Sequence, residues 1–303
     1  MIEEPPTFEL PDPPPPSPLR GRFAALGQAT AFAVLTVILW ILSSWLLYDQ
    51  SWMEHSLVLS VLSLVPAVCA SNTLFVLLNP EGSWDALGLP LSARGFTELA
   101  GGTLGGAAIA LSVVSVLWLL GWIVAAEPNS IAANGGEEVV WSPGWPYATV
   151  ILFIGAASEE LLFRGFGLQQ LIRASNPWIA IIGTSVVFGL LHAGNPGAST
   201  VGLVNTALFG CLFGFLLVRR RSLMVPVGVH FGWNVTLVAI GASLSGLRIK
   251  VVDVMLTSSG PVLWSGGPYG PEASLITSLV VALVIAIVLY LPSKLETGLR
   301  LWD

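Results

Sequence analysis

The chain has 303 residues, of which 54% are hydrophobic and only 10% are Asp, Glu, Lys or Arg. Soluble domains carry about 25% charged residues, so this deficit, with a mean hydropathy of +0.80, excludes a water-soluble globular enzyme. The net charge of −6 excludes a nucleic-acid binder, which needs basic groups against phosphates, and the two cysteines, Cys69 and Cys211, exclude a disulfide framework or a cysteine-rich zinc module.

Residues 1–22 begin MIEEPPTFELPDPPPPSPLR. Proline and acid dominate, so the segment cannot bury enough apolar surface to offset its ordering entropy. It reads as a Pro-rich, disordered cytosolic tail.

Residues 23–303 read as one membrane-embedded helical domain. A membrane helix needs about 20 mostly apolar residues. The pattern predicts eight spans, at roughly 23–48, 56–78, 99–126, 147–174, 178–192, 200–218, 223–243 and 273–291. The stretch 193–199, AGNPGAS, is full of helix breakers. Irregular backbone at membrane depth persists only where protein or a wet cavity surrounds it, so this stretch is expected to line a cavity. With eight spans and a cytosolic N-terminus, nine Lys and Arg fall on the cytosolic side, two outside and one, Arg164, within a span. The expected fold is therefore an all-α polytopic bundle in the cell membrane, with about eight transmembrane helices and both termini cytosolic. The pairs Gly101/Gly105, Gly102/Gly106 and Gly210/Gly214 read as close helix packing.

Charge inside lipid is costly, roughly 2.5–3.5 kcal/mol per group at the centre of a helix. Five ionisable residues lie well inside the predicted spans: Glu159, Glu160, Arg164, His192 and His230. All fall in spans four, five and seven. Glu160 and Arg164 are i, i+4 with the acid first, the favourable order for a helical ion pair. Phe188 with His192, and His230 with Asn234, share helix faces in the same way. Glu159 lies about 100° around the helix from Glu160, so one acid is expected to pair with Arg164 while the other faces a separate target. Glu159 is 16 residues before Ser175 and His192 is 15 after Pro177. An antiparallel hairpin thus brings them level, about 24 and 22 Å from the turn; with a surplus of about 12 Å of span four projecting into the cytosol, both lie about 10–12 Å deep, level with His230 in the cytosolic half.

A carboxylate, two imidazoles and a carboxamide at one level can activate water. Glu159 in apolar surroundings is placed to act as a general base. His192 can hold the attacking water, alone or through a metal. His230 and Asn234 can donate hydrogen bonds to a tetrahedral oxyanion. One zinc ion on Glu159, His192 and His230 is chemically open, and so is a metal-free glutamate mechanism. No H-E-x-x-H is present, no Asp is central in a span, and Ser185 upstream of His230 reads as a packing residue.

Glu159-Glu160-Leu-Leu-Phe-Arg164, Phe188-Gly-Leu-Leu-His192 and His230-Phe-Gly-Trp-Asn234 resemble, in that order, the three motifs of the CAAX protease and bacteriocin-processing family of intramembrane endopeptidases. The resemblance covers roughly 147–243, the expected catalytic core. Trp84-Asp85-Ala-Leu-Gly-Leu89 also resembles a loop of that family. The resemblance implies hydrolysis of a peptide bond in a membrane-tethered or lipidated peptide, by CAAX-type or bacteriocin-type processing. By motif position it implies Glu159 as base, His192 beside the water, His230 and Asn234 on the oxyanion, and Glu160, Arg164 and Phe188 in support. Two other readings stand beside it. One is a non-catalytic immunity or scaffold protein of the same fold. The other is a transporter whose Glu/His cluster relays protons, which the lack of a second motif copy disfavours.

Overall fold

Within lipid, a backbone must satisfy its own hydrogen bonds, so long uncharged apolar runs become helices. The computed structural model describes residues 19–48, 56–79, 83–126 and 141–290. Residues 1–18 of the predicted tail lie outside the described residues. The helices are α1 (Leu19–Leu47), α2 (Ser56–Leu78), α3 (Ala93–Leu119), α4 (Trp145–Arg164), α5 (Phe166–Ala174), α6 (Pro177–Leu191), α7 (Thr200–Arg220), α8 (Met224–Ala239), the short α9 (Val262–Ser265) and α10 (Leu275–Tyr290).

Among the described residues, six segments are long and apolar enough to cross a membrane, with α4 and α5 counted together as Trp145–Ala174. The helices α8 and α10, of 16 residues each, reach about 24 Å, short of a hydrocarbon core of about 30 Å. The expectation of eight spans thus becomes, among the described residues, six candidate spans and two shorter apolar helices. Apolar side chains of α1 and α6, including Ile41, Trp45, Ile179 and Leu190, face outward, as a lipid-facing surface requires. The chain is a multi-pass membrane protein.

The all-α expectation needs one correction. Strands β1 (Ile123–Ala126) and β2 (Met255–Ser258) form an antiparallel pair with Ile123 opposite Ser258 and Ala126 opposite Met255. The third predicted span included residues 123–126. The helix instead stops at Leu119, and Gly121, at φ +68°, turns the chain into β1, a conformation that costs glycine little.

The fourth predicted span is also interrupted. A Cβ on Gly165 would lie 2.2 Å from the Leu161 carbonyl oxygen and 2.5 Å from Asn72 Oδ1. Asn72, from α2, accepts a hydrogen bond from the Phe166 amide at 3.0 Å and donates to the Leu161 carbonyl at 3.3 Å. One buried carboxamide therefore satisfies backbone groups that the break between α4 and α5 leaves open.

Helix α8 packs against α3, α4 and α7. Its contact with α3 is backbone to backbone. A Cβ on Gly106 would lie 2.0 Å from the Val229 carbonyl oxygen, and one on Gly232 2.1 Å from that of Thr103. Of the predicted small-residue pairs, Gly102/Gly106 packs on α8 and Gly210/Gly214 on α6, whereas Gly101 meets nothing within 4 Å. Val113, Leu117, Leu212, Trp233, Leu237 and Val281 form the core where α3, α7, α8 and α10 meet.

Candidate active site

Glu159 and Glu160 sit on α4, one turn before it ends at Arg164. Glu160 is fully buried and points into the bundle. Its Oε1 lies 3.4 Å from Arg164 Nη1, so the predicted ion pair forms. The same oxygen accepts a hydrogen bond from His230 Nδ1 at 3.0 Å. Arg164 Nη2 donates to the Gly210 carbonyl at 2.9 Å, and its Cζ lies 4.8, 5.4 and 5.5 Å from the rings of Phe188, Phe213 and Phe163. A buried guanidinium is thus held by a carboxylate, a carbonyl and three aromatic rings.

Glu159 faces the other way, into a cavity of about 500 Å³. Its Oε2 has no hydrogen-bond partner and stands 3.8 Å from His230 Nε2. The two acids were expected to serve separate targets, yet both reach His230, at opposite ring nitrogens. Interhelical geometry decides this: α8 places the imidazole between the two carboxylates. Phe213 stacks on the ring at 5.0 Å between centroids, with planes 16° apart.

His192 lies where α6 gives way to a 3-10 turn, His192–Gly194. Its Nδ1–H donates to the Phe188 carbonyl at 2.8 Å, which leaves the Nε2 lone pair free to accept. Phe188 packs between His192 and His230, at 4.8 and 6.2 Å. Glu159, His192, His230, Asn234 and Phe188 all line the cavity, while Glu160 and Arg164 stand behind its wall. The breaker-rich stretch contributes Gly194, Asn195 and Pro196, as expected. Ser185 packs against Gly210 and is not part of the lining.

A zinc ion needs at least three protein donors around one point. Among the described residues, no three His, Cys, Asp or Glu side chains gather closely enough to hold a metal ion. Glu159, His192 and His230 share a cavity without converging on one point, so as placed they do not fit a zinc site.

One acid in the wall was not singled out in the sequence. Glu272, in a 3-10 turn (Pro271–Ala273) before α10, lines the cavity from the far side. Its Oε1 accepts from Trp233 Nε1 at 3.0 Å, and its Oε2 accepts from the Ser245 amide. Burial pushes this carboxyl above the ordinary range, and the Trp233 and Ser245 donors pull it part of the way back. Beside it, burial and the Glu272 charge push the Tyr269 phenol up to about 12. The one signal for Glu272 in the sequence is an acid at the lip of an apolar run.

Residues 139–236 match the family described as type II CAAX prenyl endopeptidase Rce1-like. The chain carries an Rce1-like CAAX prenyl endopeptidase domain. That domain contains Glu159, Glu160, Arg164, Phe188, His192, His230 and Asn234, and Glu272 lies beyond its end. The family matched by this stretch is described as one of endopeptidases. The uncharacterized protein YyaK of Bacillus subtilis (strain 168) is 23% identical over 151 residues, which cover 48% of this chain and 50% of that protein. The chain thus spans about half the length of the curated relative it matches. No solved structure matches the chain.

Proposed function

We propose that this protein is an intramembrane endopeptidase that hydrolyses a peptide bond of a membrane-tethered or lipidated peptide, by a metal-free mechanism with Glu159 as base. The observation that carries the reading is Glu159, which lines the cavity with its Oε2 unpartnered and 3.8 Å from His230 Nε2, in a wall that also holds His192 and Asn234.

Glu159 takes a proton from a water whose other hydrogen is accepted by His192 Nε2, and the water oxygen attacks the scissile carbonyl carbon. The carbonyl π pair moves to oxygen. His230 Nε2–H and the Asn234 carboxamide then donate to that oxyanion. Because His230 Nδ1 also donates to Glu160, the ring carries both protons throughout and gives up neither. The C–N bond breaks, and Glu159 returns its proton to the leaving nitrogen. Glu160 and Arg164 hold the imidazole, and Phe188 fixes the spacing between the two histidines. In this reading the cavity opens toward the cytosolic half of the bilayer, with both termini on that side.

The test is cleavage of a panel of membrane-tethered peptides, prenylated and unprenylated, by purified protein in liposomes. Glu159→Ala is expected to lose two to four decades of rate, the usual size of a general-base contribution. Equal cleavage by wild type and variant would remove Glu159 from the role. An immunity phenotype that survives Glu159→Ala at full expression would favour a non-catalytic protein of the same fold.

A further inference from the structure

Glu272 stands apart from the four residues of the proposed mechanism and touches two parts of the molecule that shape their cavity. Its Oε1 binds the indole N–H of Trp233, the neighbour of Asn234, at 3.0 Å. Trp233 packs on Phe209 at 4.6 Å, Phe209 on Phe213 at 5.8 Å, and Phe213 on the His230 ring at 5.0 Å. A continuous aromatic stack therefore runs from the Glu272 carboxylate to the imidazole.

The other oxygen accepts from the amide of Ser245. Ser245 has φ +49°, a left-handed conformation uncommon for a residue with a side chain. Such a residue persists only when its surroundings over-determine it. Leu244, Ser245 and Leu247 line one end of the cavity. Gly246 between them is wedged so tightly that a Cβ would lie 1.8 Å from the Pro196 carbonyl oxygen.

Glu272 is itself held from behind. Asn205 of α7, fully buried, donates to the Glu272 and Ser274 carbonyls at 2.7 and 2.9 Å and accepts from Ser278 at 2.6 Å. The carboxylate is thus a fixed post with two polar ties, one to the helix that bears His230 and Asn234 and one to the loop that closes the cavity.

We infer that Glu272 is a positioning residue for the reaction, holding the Trp233–His230 stack and the 244–247 loop in register through these two hydrogen bonds. This rests on the endopeptidase reading above. Glu272→Gln tests it, because a carboxamide offers one acceptor oxygen to two N–H donors and turns its own NH₂ toward the second.

The experiment compares full-length wild type, Glu272→Gln, Trp233→Phe, the double variant and Glu159→Gln in liposomes. It reads amide hydrogen exchange and steady-state cleavage of a tethered peptide. Glu272→Gln is expected to speed exchange at Ser245 and its neighbours. It is also expected to lower kcat by about tenfold to a hundredfold, the range of a misplacement of about one ångström, with KM within about twofold. Trp233→Phe lowers kcat, and the double variant falls no further than Glu272→Gln, because both break one connection. Glu159→Gln abolishes cleavage and leaves exchange unchanged.

Unchanged exchange in Glu272→Gln, or wild-type kcat, overturns the proposal. A raised KM at unchanged kcat overturns it in favour of a substrate contact. If Glu272→Gln does not fold, full kcat in Trp233→Phe overturns it and reduced kcat supports it. A wild type that cleaves no peptide overturns the endopeptidase reading, and the exchange arm, which needs no substrate, still decides whether Glu272 holds the loop.

Discussion

Glu160 and His230 are joined at 3.0 Å through Oε1 and Nδ1, across two helices and in the interior of the bundle, and Arg164 approaches the same oxygen at 3.4 Å. The acid thus does two things at once: it neutralises the guanidinium and orients the imidazole. Removing it leaves Arg164 as a buried charge with only a carbonyl and aromatic faces around it. Breaking a buried pair costs about 3–5 kcal/mol, so Glu160→Ala is expected to lower the free energy of unfolding by that amount, measured by denaturant titration in detergent. Loss below about 1 kcal/mol, the value of a surface pair, would mean that the pair is solvated.

The donor geometry yields a second expectation. Because Glu159, His192 and His230 do not converge on a metal-sized point among the described residues, exhaustive dialysis against a strong chelator is expected to leave cleavage intact. Inactivation reversed only by stoichiometric zinc would show that the three groups close around an ion.

The contact between α3 and α8 gives a paired substitution. At Gly106 a Cβ would lie 2.0 Å from a backbone oxygen, while at Gly101 on the same helix nothing lies within 4 Å. Gly106→Ala is expected to destabilise by about 1–3 kcal/mol or more, as overpacking does. Gly101→Ala is expected to be neutral or slightly stabilising, since alanine is the better helix former. Equal melting temperatures for the two variants would contradict the packing.

Tyr269 offers a pH readout. Burial and the nearby Glu272 charge push its phenol from the ordinary 10.0 up to about 12. A folded value above the unfolded one contributes stability that is full below pH 10 and is lost as pH rises through about 12. The difference between absorbance titrations of wild type and Tyr269→Phe is expected to show one phenol ionising near pH 12. Ionisation near pH 10 in the folded protein would show that the ring is reached by water.

Much of the site was readable because it is written in helical spacing. Glu160 with Arg164, Phe188 with His192 and His230 with Asn234 are each one turn apart, and the cost of charge in lipid singles out the ionisable members. The hydrogen bond between Glu160 and His230 was not readable, since no local period links residues of two helices. The break at Gly165 depends on Asn72, a carboxamide from α2 that repairs it from outside. Strand β1 was absorbed into a span because Ile123–Ala126 is as apolar as the helix before it. Glu272 escaped notice because it belongs to no motif and precedes the last apolar run instead of interrupting it.

The glycine contact between α3 and α8 also bears on how a peptide could reach Glu159. Trp40 of α1 and Leu57, Ser60, Val61 and Leu64 of α2 line the cavity together with His230, Trp233 and Asn234 of α8. The α8 wall is locked backbone against backbone, whereas only 11% of the apolar 18-residue stretch of α1 is buried. On the proposed reading, the histidine and asparagine that a peptide would meet therefore stand on the part of the wall least able to yield.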